Sequence, residues 1–98
     1  MATKTLTVPV GTPQKFYCPK DPTEFSDKLI SPVTVMVVIT TGTVTVKCQI
    51  SAAGSLVAVS SGNLAGTISA TAVDVIVGPF YMLEFTALTA TATVDIAW

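Results

Sequence analysis

A two-residue rhythm of valine and threonine constrains this chain more than anything else in it, and the rhythm is clearest over residues 33–50, VTVMVVITTGTVTVKCQI. From Thr43 onward Val44, Val46, Cys48 and Ile50 share one parity, and Thr43, Thr45, Lys47 and Gln49 share the other. Successive side chains of an extended backbone point to opposite faces, so this segment is a strand with one dry face. Val33 to Ile39 is a nearly unbroken β-branched run, and Thr41-Gly42 lies between the two, where a glycine takes positive φ without a Cβ clash. The pattern predicts an antiparallel hairpin.

The same rhythm recurs on both sides of that stretch. Leu6, Val8 and Val10 alternate with Thr5, Thr7 and Pro9 in a first strand whose proline suits an edge, and Gly11-Thr12-Pro13 turns the chain into a short strand with Phe16 and Cys18 inward. Ala53-Gly54 and Ser61-Gly62-Asn63 are further turns around Ser55 to Ser60, where the parity is ambiguous. Over 65–77 it switches face, Ile68, Ala70 and Ala72 against Val73, Val75 and Val77, which predicts two pieces separated near Ala72. Phe80 to Ala87 carries Tyr81, Leu83 and Phe85 on one face and Met82, Glu84 and Thr86 on the other. Thr91 to Trp98 turns Ala92, Val94, Ile96 and Trp98 inward. These last two strands are expected as a second hairpin over Leu88-Thr89-Ala90, with Phe85 across from Val94.

Six to eight short strands with turn residues between them predict an all-β fold, an antiparallel β-sandwich or small barrel. At 98 residues the expectation is a single domain over 1–98 that buries roughly 60 to 65% of its unfolded surface. Within it, residues 1–14 are an N-terminal edge strand or arm. Residues 19–28, PKDPTEFSDK, are a polar surface loop holding nearly half of the charges, because Pro19 and Pro22 rule out a continuous strand. Phe25 in that loop either folds back onto the body or anchors a partner.

Only 11% of residues are charged against 50% hydrophobic, where an average domain carries about 25% charged. No run of 18 apolar residues exists for a spanning helix, and 98 residues leave no turns for an eight-stranded outer-membrane barrel of ~10-residue strands, so no membrane partner is expected. The N-terminal MATKTLTVPV has no apolar core of a secretory leader, which points to a protein made and used in a cytoplasm or to a chain lacking its leader. The five basic residues are scattered lysines without a single arginine, which argues against nucleic acid.

Candidate chemistry is sparse. There is no histidine, no nucleophile elbow and no glycine-rich phosphate loop, so neither catalysis nor a cofactor is expected. Cys18 and Cys48 are either two reduced thiols or one disulfide between strands, and two cysteines without histidine make no zinc site. Asp21, Glu24 and Asp27 match no known calcium loop and read as a solvated cluster. Asp74, Glu84 and Asp95 fall on outward parities, with Glu84 near Asp95 or Lys47, as charges that keep sheet faces soluble. The aromatics fall mostly on apolar parities and are expected in the core. An exposed Tyr17, Phe25, Tyr81 or Trp98 stacking on sugars is the rival reading, that of a carbohydrate-binding or adhesin-type surface module.

From Gly42 onward the order GTVTVKCQIS, a turn, SLVAV, a Thr/Ser/Ala-rich passage and GPFYMLEFTALTATATVDIAW resembles the small β-sandwich virion proteins of tailed bacteriophages. The resemblance covers about the last 57 residues and is one of strands and turns. Where members often place an Asp-Gly and a tryptophan after the first strand, this chain has Ala52-Ala53-Gly54 and Leu56. The resemblance implies a capsid decoration or cement protein, a head fibre or a tail component, located in the virion. It implies partnership with copies of itself and with a major capsid protein, and no cofactor. If the N-terminal strand reaches a neighbour, Leu6, Val8 and Val10 are the contact residues.

Overall fold

The described residues form nine strands: β1 (Thr3–Val8), β2 (Gln14–Tyr17), β3 (Val33–Val38), β4 (Val44–Gln49), β5 (Leu56–Ala58), β6 (Thr67–Ile68), β7 (Ala72–Ile76), β8 (Met82–Ala87) and β9 (Ala92–Ala97). The computed structural model describes residues 2–17, 32–59, 61–76 and 80–98. Among them there is no helix. Sheet I has the order β1-β9-β3-β7; sheet II has the order β2-β8-β4-β5, with the two-residue β6 also pairing β4. All strand pairs are antiparallel.

The pairs are nested: β1 with β9, β2 with β8, β3 with β7, β4 with β5. The chain therefore folds back at the β4–β5 hairpin into one long ribbon. That ribbon wraps until β3 meets β9 and β4 meets β8. Two sheets closed in this order make an all-β sandwich of the jelly-roll type.

This wrap corrects both expected hairpins. β3 and β4 lie in opposite sheets, as do β8 and β9, so Phe85 faces Val46 and Gln14 while Val94 faces Leu6 and Val37. Residues 39–43 and 88–91 cross between sheets and pack together, Leu88 N–H donating to the Thr43 carbonyl at 2.9 Å. Gly42, at φ 86°, sits where a Cβ would lie within 2.9 Å of Ala90. β3 and β4 each have an apolar face, and in opposed sheets each covers the other, while β9 and β7 fill the two places beside β3.

Between the sheets lie Val33, Val35, Val37, Val94 and Ile96 from sheet I, and Phe16, Val44, Val46, Leu83 and Phe85 from sheet II, all buried. Each such side chain contributes about 1.5–3 kcal/mol relative to exposure. Leu64, from the turn before β6, is fully buried in the same core. The split expected over 65–77 is present over the described residues 65–76, and the two pieces join different sheets, β6 in sheet II and β7 in sheet I; Val77 lies outside the described residues.

Parity on β7 is the reverse of the expected one. Ala72, Asp74 and Ile76 pair with the buried Val37, Val35 and Val33, so Asp74 lies on the inner side while Val73 and Val75 face out, 45% and 47% exposed. Tyr81 is half-buried and Met82, expected outward, is buried. Cys48 is half-buried against the core, whereas Ile50, of the same parity, is exposed beyond the strand end.

Candidate functional site

The two outer faces of the sandwich differ in charge, and the register shows how. On sheet I the rows read Thr3–Ala97–Thr34–Val75, then Thr5–Asp95–Met36–Val73, then Thr7–Thr93–Val38. Asp95 is the one ionisable side chain in these rows, and its carboxylate already accepts a 2.7 Å hydrogen bond from Thr5 Oγ1. A depression of about 370 Å³ lies here, lined by Thr3, Lys4, Thr5, Thr34, Met36, Val73 and Asp95 among others, with the exposed Lys4 at its β1 edge. On sheet II one row reads Lys15–Glu84–Lys47–Ala58, so Glu84 stands between two lysines. Asp95 is in the other sheet, which removes the expected alternative of Glu84 near Asp95.

Sheet II also carries the row Tyr17–Met82–Gln49–Leu56. Tyr17 is 53% exposed and meets Tyr81 edge-on, ring centroids 5.5 Å apart. Trp98 packs against the core, its ring 5.3 Å from Phe16, so it is not a free platform.

The residues expected to contact a partner are distributed as follows. Val8 is fully buried in the core of its own chain, and Leu6 is half-buried against it. Val10 is 49% exposed just after β1, bridged in parallel to Ala87. Phe25 lies outside the described residues, as do Cys18, the loop 19–28 and its Asp21, Glu24 and Asp27. Among the described residues β1 is an edge strand, paired on one side with β9.

The opposite edge of sheet I is finished by side chains. Asn63 Nδ2 donates to the Val73 carbonyl at 2.9 Å, Val75 N–H donates to Asp74 Oδ1 at 2.8 Å, and Asn63 N–H donates to Asp74 Oδ2 at 3.0 Å. The inward Asp74 thus serves the rim of the sandwich, a placement that sequence parity missed; the Asn63 turn eleven residues earlier was the only available hint. A second cleft of about 380 Å³ runs beside this rim between β5 and β7, lined in part by Cys48, Ile50, Val57 and Val75. The Cys48 thiol is free, and burial raises its pKa above the ordinary thiol value.

Among the described residues no three cysteine or carboxylate side chains come together in a way that would hold a metal ion, and no helix is long and apolar enough to cross a membrane. The arrangement defines an all-β sandwich with one charge-poor face and one charged face. Compared with known proteins, the chain matches no family model, no curated protein and no solved structure.

Proposed function

We propose that this protein is a non-enzymatic structural component of a bacteriophage virion that decorates and stabilises the capsid as a homo-oligomer. The observation that carries the reading is the asymmetry of the two faces. Sheet I offers rows of threonine, alanine, methionine and valine around one engaged carboxylate, with Lys4 at the β1 edge, while sheet II keeps Lys15, Glu84 and Lys47 in a row. Charge is depleted at the centre of protein interfaces and retained on surfaces that stay wet. On this reading sheet I lies against the shell and sheet II faces water. Jelly-roll wraps also occur in viral coat domains, which agrees with the assignment by analogy of fold alone.

Mixing purified protein with capsids and pelleting them tests the reading. Binding is expected for the native chain, lost in a Met36→Lys/Val73→Lys double variant and retained in Lys47→Glu. A protein absent from virions that also fails to pellet with capsids overturns it. The exposed Tyr17 set against Tyr81 favours one rival, a glycan-binding surface module. Glycan-array binding that disappears in Tyr17→Ala would establish that rival instead.

A further inference from the structure

We infer that two copies of the chain join through the free edge of β1, as an antiparallel pair centred on Thr5. The inference rests on the homo-oligomer half of the proposed function and names the surface that makes it. It starts from the hydrogen-bond phase of the β1–β9 ladder. Ala2 and Trp98 exchange both main-chain bonds, Ala2 N–H to Trp98 O at 2.8 Å and Trp98 N–H to Ala2 O at 2.9 Å. Bonded and non-bonded pairs alternate in an antiparallel ladder, so Lys4, Leu6 and Val8 also bond β9. The N–H and C=O groups of Thr3, Thr5 and Thr7 consequently point away from the sheet. All three residues are exposed, and among the described residues nothing bonds to those groups.

The other edges do not compare. The phase carried across β9 and β3 turns Val73 and Val75 outward on β7, where Asn63 and Asp74 occupy one carbonyl and one N–H. That two side chains bond these same groups is an independent check on the phase. Among the described residues β2 has four and β5 has three, each too short to offer three outward positions. Among the described residues only β1 presents a six-residue edge that no side chain seals.

Self-pairing selects one register. With Thr5 opposite Thr5 of the second copy, Thr3 meets Thr7 and Thr7 meets Thr3, and each pair exchanges both main-chain bonds. Centring on Lys4 loses a pair and opposes two ammonium groups directly, which is destabilising. Centring on Leu6 sets Thr3 against Pro9, which has no N–H to give. In the Thr5 register Lys4 lies beside Leu6 of the other copy, its methylenes covering the half-buried leucine while its ammonium reaches water. The two-fold axis is perpendicular to the sheet, so the low-charge outer faces of both copies lie on the same side as one continuous surface.

Sedimentation equilibrium of the native chain, Thr5→Pro and Thr5→Val tests this. Thr5 N–H points away from β9, so proline there leaves the internal ladder intact and removes edge donors. The native chain and Thr5→Val, which lacks only the side-chain bond to Asp95, are expected at twice the chain mass. Thr5→Pro is expected at the chain mass, its dimer weakened at least about tenfold. Amide exchange of the native chain gives a readout that does not depend on how well Thr5→Pro folds. Thr3, Thr5 and Thr7 should exchange quickly when dilute and slow down as concentration rises. A native monomer at every concentration overturns both the pairing and the homo-oligomer reading. A dimer that Thr5→Pro leaves equally tight, or one in which these three amides stay fast, overturns the pairing alone.

Discussion

Removing Asp74 tests how the β7 rim is held. Its carboxylate accepts from Asn63 N–H at 3.0 Å and Val75 N–H at 2.8 Å, and Asn63 in turn donates to the Val73 carbonyl. A hydrogen bond to a charged acceptor contributes about 1.5–3 kcal/mol when the site is withdrawn from water. Asp74 is only half-buried and both amides lie near the surface, so water replaces much of what is lost. The expected cost of Asp74→Ala is therefore about 1–2 kcal/mol. In a domain of this size that lowers Tm by about 5–15 °C. Asn63→Ala should cost about 1 kcal/mol, and because the two side chains act through one another the double variant should lose about 0.5–1 kcal/mol less than the sum. Urea unfolding followed by Trp98 fluorescence measures all three. If each single variant costs under about 0.3 kcal/mol and the two simply add, the rim does not depend on this network.

Other expectations follow from the same structure. Phe85→Ala empties the centre of sheet II, where the ring is fully buried, and should cost about 3–5 kcal/mol by calorimetry or urea unfolding. Gly42→Ala combines positive φ with a Cβ set against Thr89 and Ala90, so it should destabilise by well over the 1–2 kcal/mol of backbone strain alone; Gly11→Ala, at similar φ in open space, should cost only that strain. Cys48 in a Cys18→Ser background should react with iodoacetamide more slowly than a free thiol, because burial raises its pKa. The folded state holds that proton more tightly than the unfolded chain, so the Cys48 contribution to stability is complete below the ordinary thiol pKa and is lost as pH rises through the raised one. Cys48→Ala should remove that alkaline loss in urea titrations.

The strands themselves were legible, since alternation over Val44–Gln49, Met82–Ala87 and Ala92–Ala97 names both the element and its dry face. The failure on β7 is instructive. Val73 and Val75 look like the inward set by hydrophobicity alone, yet the phase of β3 puts Asp74 opposite Val35 and sends the valines out. A strand at the rim borrows its orientation from its neighbour. Turned inward, the Asp74 carboxylate finds two N–H partners at the rim, and the two exposed valines cost less at an edge than in the middle of a sheet. The charge-poor face was only half legible. Thr3, Thr5 and Thr7 alternate visibly, but nothing local in the chain says that Thr34, Met36, Val73 and Val75 continue their rows.

Read alone, the chain determined that it would be all β, where most strands begin and end, and which side of most of them would be dry, because side-chain direction in an extended backbone is a property of each residue and its immediate neighbours. Only the tertiary structure decided which strands pair. Parity is satisfied equally when two consecutive strands lie side by side and when they face each other across a core. The choice between those arrangements is made by the rest of the wrap, in which β9 and β7 already occupy both edges of β3 and leave β4 to the opposite sheet.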